Sequence, residues 1–421
     1  MPERLPFQML AGLLGGLLLG TIAHALFAGS PAVDALVRYA VEPAGQIFLR
    51  LLFVLVIPLI LAALALSIAD LGDLRRLGRI GLKTLAYTVA VSTIAVAIGV
   101  GLVNALEPGV GLDPELRARL GEGAKLPAAA SAAGRSGVDF LINLVPSNAV
   151  KAMAEGDMLA VMVFAILLGL GIASTRTEPA RRLEDALRGL QDVTMQLLGL
   201  VIRLAPLGVA CLVFTLAWRL GLDVFVKLAA YVGVVLAGLA LQQFVVYSAS
   251  VAWLGGMSPL HFFRATRAAT VTAFSTASSN ATLPTALWVA EHELHLPQHV
   301  SRFVLTLGST ANQNGTALFE GVTVLFLAQF YGVDLTLGQQ LTTAFICVLG
   351  GIGTAGVPAG SLPVIAMILG MIGVPVEGIG IVLGVDRFLD MCRTAVNVTG
   401  DLAAAVVVSR GEPEDPGATR A

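Results

Sequence analysis

DRFLDMCRTAVNVTGD, Asp386 to Asp401, sets Asp386, Asp390, Arg393, Asn397 and Asp401 inside a segment otherwise as apolar as a membrane span. At about 100° per residue the five positions fall within an arc of roughly 80°, so on a helix they form one polar seam. An ionisable side chain at the centre of a bilayer costs about 2.5 to 3.5 kcal/mol on insertion scales, so it faces a cavity and marks a substrate or ion pathway. Three aspartates stand against one arginine in the seam. A low-dielectric interior holds that negative excess only with bound cations or protons. Cation binding is the first chemical expectation, and the fold expected is all-α and polytopic.

The remainder of the chain agrees. Its 421 residues are 56% hydrophobic and only 13% charged, with a mean hydropathy of +0.85, far more apolar than a soluble protein. Apolar runs long enough to cross a bilayer lie near 7–27, 44–69, 81–106, 158–173, 195–218 and 225–251. The first reads as a retained helix, since no small-residue cleavage site fits it. The basic clusters Arg75, Arg76, Arg79, Lys83 and Arg176, Arg181, Arg182, Arg188 predict cytoplasmic loops, with 107–139 outside. The net charge of -2 gives no sign of a nucleic-acid partner. Cys211, Cys347 and Cys392 sit in apolar segments, which predicts neither a disulfide framework nor a metal cluster. His292, His295 and His299 read as a solvated loop.

From about Ser258 the pattern changes and repeats. Short apolar arms flank a polar tip, Ser275 to Thr282, and a long segment interrupted by Asn312 to Thr316 follows; short arms then flank the Gly-rich tip Gly350 to Gly360, and the seam follows. Arms of about 12 to 15 residues are too short to cross hydrocarbon, which predicts re-entrant hairpins. Backbone at that depth survives only where it lines a cavity or packs on protein, and paired broken segments point to a transporter binding site. An extramembrane loop is the plain alternative for the Gly-rich tip, but 345–382 carries no charge except Glu377. Half-helix N-termini aim free N–H groups at an anion, so a hydroxyl-bearing tip and a bare backbone tip suit a carboxylate. The break Asn312-Gln313-Asn314-Gly315-Thr316 offers carbonyl and amide oxygens suited to an alkali cation; a polar kink is its simpler reading. Asn280, Asn314 and Asn397 match the glycosylation pattern, but buried segments are not acceptors.

These motifs resemble the dicarboxylate/amino acid:cation symporter family, the glutamate transporter family, from the first helix to about Arg410. SSNATLP (Ser278 to Pro284) is similar to its first hairpin tip, NQNGT (Asn312 to Thr316) to its NMDGT signature, GTAGVP (Gly353 to Pro358) to its second hairpin, and Asp386 to Asp401 to its final helix. The resemblance implies a homotrimer with eight transmembrane helices and two re-entrant helical hairpins. Its scaffold would comprise 1–80 (helices 1 and 2) and 107–221 (helices 4 and 5 with the extracellular loop). Its transport domain, moving like an elevator, would comprise 81–106 (helix 3) and 222–410, with 411–421 a cytoplasmic tail. It implies a plasma membrane location, in a bacterial inner membrane, with both termini cytoplasmic and the lipid bilayer as surroundings.

Carried over position by position, Arg393 holds the side-chain carboxylate of an acidic substrate and Asp390 its amino group. Thr394 and Asn397 add hydrogen bonds, Ser278 and Ser279 cradle the main-chain carboxylate, and Thr316, Val357 and Ser361 complete the pocket. A guanidinium grips a carboxylate bidentately, and a wrong substrate leaves a buried charge unpaired. One cation site would use Gly308, Asn312, Asn397 and Asp401, and a second Gly351, Ile352, Thr354 and Thr310. A third is degraded: Asn314 replaces its acidic residue and Val91 one of its polar groups, leaving Thr88 and Ser92. Gln313 replaces the usual methionine. Glu320 resembles the glutamate that carries a proton in animal members. An arginine that usually pairs with the substrate-binding aspartate is absent at Ala277 and Met391, and Arg387 is the candidate substitute, with a snorkelling or scaffold-facing role as its alternative.

The expected function is therefore uptake of aspartate or glutamate coupled to sodium, protons or both, with no cofactor and no enzymatic activity. Alternatives are a C4-dicarboxylate or neutral amino acid symporter of the same family, and a passive anion channel. Intramembrane aspartyl proteolysis needs two aspartates facing each other from separate helices, and these lie on one.

Overall fold

The computed structural model describes residues 5–27, 30–70, 78–111, 145–155, 158–175, 177–220, 223–353 and 361–412. The described residues are helical apart from short connections. The chain opens with α1 (Leu5–Phe27) and α2 (Pro31–Leu36), then α3 (Glu42–Phe53) and α4 (Val56–Asp70). The apolar run at 44–69, expected as one span, is split here. Pro58 has no N–H to donate to the Val54 carbonyl, so the helix restarts. Next come α5 (Gly78–Leu106), α6 (Ala149–Glu155), α7 (Met158–Ser174) and α8 (Glu178–Leu220). The long α8 bends by 51° between Val201 and Arg203, one turn before Pro206, which removes the hydrogen bond to Ile202.

α1 and α8 pack along their length because Gly12, Gly16 and Gly20 form a groove with spacing four. A Cβ on any of them would collide with α8 at Pro206, Ala210 or Phe214. Small residues let helix backbones approach closely where lipid supplies no hydrophobic drive between helices.

α9 (Asp223–Leu241) is prolonged to Gly255 through two π turns, Gln242–Val246 and Ser250–Gly255. There follow α10 (Pro259–Thr276), α11 (Ser279–His292), α12 (Gln298–Ala311), α13 (Asn314–Tyr331), α14 (Leu337–Gly353), α15 (Leu362–Ile372) and α16 (Ile379–Ser409). α13 lies at the centre, buried from Asn314 to Ala328, as expected of a helix surrounded on all sides. It packs on α5, α14, α16, α9 and α15.

Among the described residues three helical stretches, Arg79–Leu106, Val226–Gly255 and Ile379–Ser409, are long and apolar enough to cross a membrane, and bent α8 is a fourth if its two halves form one broken span. The outer face of Val226–Gly255 is apolar too: Phe244 is 63% and Trp253 79% exposed, the reverse of what water favours and what hydrocarbon accepts.

The expected tip at Ser275 to Thr282 is tighter in the structure. α10 runs to Thr276, Ala277 turns the chain in the left-handed region (φ 49°), and Ser278 caps α11 by accepting from Ala281 N–H at 3.2 Å. Arms α11 and α15 have 14 and 11 residues, too short for hydrocarbon of about 30 Å at 1.5 Å per residue. α10 and α14, at 18 and 17 residues, exceed the predicted arm length. Residues 354–360 of the second tip, with Thr354 and Val357, lie outside the described residues, as do Arg75, Arg76 and Arg176. The polar break expected over Asn312 to Thr316 is confined to Asn312 and Gln313, whose ψ of 58° and 60° leave the helical region. Asn314, Gly315 and Thr316 already form the first turn of α13.

Candidate functional site

The seam on α16 is a connected set of charges. Arg393 Nη1 donates to Asp386 Oδ1 at 2.8 Å, and Arg393 Nε donates to Asp390 Oδ1 at 3.0 Å. Asp390 Oδ2 in turn lies 3.5 Å from Arg387 Nη1. All but Arg387 are buried, and Arg387 is 12% exposed. The Arg393 guanidinium stacks over the Phe319 ring, 4.2 Å from its centroid, a cation–π contact that fixes its plane. Two sides of the guanidinium are thus held by carboxylates and one face by an aromatic ring. Thr394 is buried beside it.

One turn further on, Asn397 joins α16 to the break. Its Oδ1 accepts from Gly315 N–H at 2.7 Å, and its Nδ2 donates to Gln313 Oε1 at 2.6 Å and Thr316 Oγ1 at 3.1 Å. Gln313 Nε2 donates to the Ser309 carbonyl at 3.0 Å, so the residue in the methionine position is a hydrogen-bonded strut between α12 and α16.

Asp401 receives Asn312 Nδ2 at 2.9 Å and lies against Gly308, where an added Cβ would stand 2.5 Å from Asp401 Oδ1. Gly308, Asn312 and Asp401 are thereby brought together, with Asn312 Oδ1 buried and without a hydrogen-bond partner among the described residues. A carboxylate and an orphaned amide oxygen beside Gly308 form an oxygen-rich corner of the kind that holds a hard cation. Of the second expected cation set, the Gly351 carbonyl accepts from Gln313 N–H at 3.1 Å, tying α14 to the break. Thr310 sits half-buried at the end of α12, and Ile352 lies near the end of α14.

The expected third site holds a neutral hydrogen-bonded pair of contacts at Asn314. Asn314 Oδ1 accepts from Ser92 Oγ at 2.6 Å, and Asn314 Nδ2 donates to the Tyr247 hydroxyl at 3.2 Å. Thr88 and Val91 are buried nearby on α5. Both ends of the amide are used, and its NH₂ end is repulsive to a cation.

Ser279 and Ser361 are each buried with a hydroxyl that has no partner among the described residues. They stand at the starts of α11 and α15. Glu320 is fully buried, with neither carboxyl oxygen hydrogen-bonded to any described residue. An added Cβ on Gly350 would lie 2.8 Å from its Oε2. Orphaned buried polar atoms are costly and call for a ligand, ion, water or proton. Three participants were not anticipated as such: Asp386 as the partner of Arg393, Phe319 as its platform and Tyr247 as the partner of Asn314. The seven-residue spacing of Asp386 to Arg393 could have signalled the first. Nothing in an apolar run distinguishes the two aromatics.

A helical membrane protein that buries alternating charges beside an unwound, oxygen-rich helix break is built to pass small charged solutes together with cations. Residues 5–411 match the Sodium:dicarboxylate symporter family. The chain is 32% identical over 397 residues to the proton/sodium-glutamate symport protein of Geobacillus stearothermophilus, covering 94% of this chain and 93% of that one. It is 33% identical over 410 residues to the proton/glutamate-aspartate symporter of Escherichia coli (strain K12), covering 97% and 93%. It is 31% identical over 414 residues to the C4-dicarboxylate transport protein of Anaeromyxobacter sp. (strain K), covering 98% and 91%. The chain belongs to the Sodium:dicarboxylate symporter family, and it is a multi-pass, cation-coupled membrane symporter.

Proposed function

We propose that this symporter takes up acidic amino acids, aspartate or glutamate, in company with sodium, protons or both. The observation that carries the reading is the buried pair Arg393 and Asp390, 3.0 Å apart on one helix. Together they offer a bidentate donor for a side-chain carboxylate and an acceptor for an ammonium. Thr394, Asn397 and Thr316 supply further hydrogen bonds. Ser278 and the orphaned hydroxyl of Ser279 form the subsite for the main-chain carboxylate at the N-terminus of α11, and Val357 and Ser361 complete the pocket.

The first coupling cation sits among Gly308, Asn312, Asn397 and Asp401, and a second among Thr310, Gly351, Ile352 and Thr354. The hydrogen-bonded Asn314 amide supports a lost third site, and Glu320, with no hydrogen-bond partner among the described residues, supports a proton in its place. An ionised carboxylate buried without a partner is costly, so Glu320 is suited to carry one. The surrounding architecture is eight transmembrane helices and two re-entrant hairpins, 259–292 and 337–372, in a homotrimer. Its scaffold is 1–80 and 107–221, and 81–106 with 222–410 moves as an elevator, both termini being cytoplasmic. The short arms α11 and α15 favour the hairpins.

A C4-dicarboxylate is the second reading, favoured by the name of the Anaeromyxobacter relative, but it leaves Asp390 without an amine to meet. Uptake of labelled aspartate, glutamate and succinate into proteoliposomes, with sodium and proton gradients imposed separately, tests both. Accumulation of the amino acids against their gradient is expected. Preference for succinate would hand the assignment to the dicarboxylate, and downhill flux without accumulation would mark an anion channel.

A further inference from the structure

We infer that the consecutive residues Asp386 and Arg387 stand in for the two opposite charges of the substrate when the carrier is empty. The inference rests on the reading of Arg393 and Asp390 as the carboxylate and ammonium subsites. Asp386 Oδ1 takes the hydrogen bond from Arg393 Nη1, at 2.8 Å, that a substrate side-chain carboxylate would take. Arg387 Nη1 faces Asp390 Oδ2, at 3.5 Å, where a substrate ammonium would sit. The four side chains alternate in sign as Asp386, Arg393, Asp390, Arg387, so two carboxylates balance two guanidiniums.

That balance has a consequence for the cycle. A closed neutral set tolerates a low-dielectric surrounding without an accompanying ion, whereas an unmatched charge does not. The empty seam can therefore cross with no cation at Asp386 to Arg393. An acidic amino acid brings two carboxylates and one ammonium, so the loaded seam is one charge more negative and calls for a cation nearby, at Asp401. The two stand-ins are not held equally. The Arg387 contact is long, and its Nε is buried without a partner among the described residues, so it yields readily to an ammonium that approaches more closely. Asp386 is a true competitor of the substrate carboxylate.

The experiment compares net aspartate uptake, which requires the empty carrier to return, with aspartate–aspartate exchange, which does not, in proteoliposomes holding the full chain. The ratio of the two rates within one preparation is insensitive to how much protein has folded. Arg387→Gln and Asp386→Asn are each expected to lower the ratio of net uptake to exchange at least several-fold. Asp386→Asn should also tighten apparent aspartate affinity, and Arg387→Lys should restore the ratio. An unchanged ratio in both neutral variants would overturn the inference. So would weaker aspartate affinity in Asp386→Asn, because Asp386 would then only orient Arg393. Wild-type protein that neither accumulates nor exchanges an acidic amino acid would instead overturn the substrate assignment beneath it.

Discussion

A single methyl group at Gly308 would stand 2.5 Å from Asp401 Oδ1, inside the closest approach of carbon and oxygen. Gly308→Ala must therefore push the Asp401 carboxylate or the end of α12 aside. The expected result is a rise of about tenfold or more in the cation concentration for half-maximal uptake, equivalent to about 1.4 kcal/mol, with a smaller change in substrate affinity under saturating cation. A loss of substrate affinity alone would move the cation corner elsewhere. Arg393 gives the complementary case. Arg393→Cys leaves Asp386 and Asp390 buried without their shared partner, a loss on the order of 3 to 5 kcal/mol. Uptake of acidic substrates should vanish, and a small neutral amino acid should become the better substrate. Equal aspartate affinity in the mutant would remove Arg393 from the pocket.

In the proposed coupling, helix junctions decide how much cation the carrier binds, and the clearest is where α5, the prolonged α9 and α13 meet at Asn314. Asn314→Asp replaces the NH₂ that now donates to the Tyr247 hydroxyl with a second oxygen, beside the one to which the Ser92 hydroxyl already donates. The expected outcome is a steeper dependence of uptake on sodium, read as a larger Hill coefficient; an unchanged slope would mean that Val91 alone is enough to disable the site. Seam, short apolar arms and helix break were legible in the sequence because each breaks an otherwise apolar background, and charge or glycine at a helical period is a loud signal there. Boundaries were less legible. The run at 44–69 gave no apolar discontinuity at Pro58, and the break at 312–316 shrank to two residues because Asn314 and Thr316 find tertiary partners that let α13 start early. The aromatic partners Phe319 and Tyr247 were invisible for the opposite reason, since one more ring in a hydrophobic helix changes no pattern.

Across the whole molecule, the proposed coupling assigns cations and protons to separate places: Asp401 near the break and Glu320 beside Gly350 of α14. Glu320→Gln keeps the shape and removes the titratable group, so it should abolish the response of uptake to an imposed pH gradient while substrate binding survives. Persistence of that response would send the proton by another route. At the far end of α16, Glu412 accepts from Lys83 at 2.8 Å and Arg79 at 2.6 Å, while Arg410 donates to the Trp253 and Leu254 carbonyls. The hydrogen bonds from Lys83 and Arg79 hold the Glu412 carboxyl below its usual range. A lowered folded-state value means the contact stabilises fully above the ordinary glutamate pKa of about 4.3 and fades as pH falls through the lowered one. Glu412→Gln should therefore flatten the acid limb of a thermal-stability profile and leave the neutral region nearly unchanged; an unaltered acid limb would show the contact to be idle.

The same contact sets a timetable. Lys83 and Glu412 are 329 positions apart, and at the usual pace of translation that is on the order of tens of seconds between their emergence from the ribosome. For that interval the start of α5 waits without its acidic partner, and the end of α9 without the guanidinium that satisfies its last carbonyls. The helices at the middle of the molecule can be inserted early but are fastened only when the final one arrives, so a nascent chain stalled before Arg410 should be the form that quality-control proteases recognise.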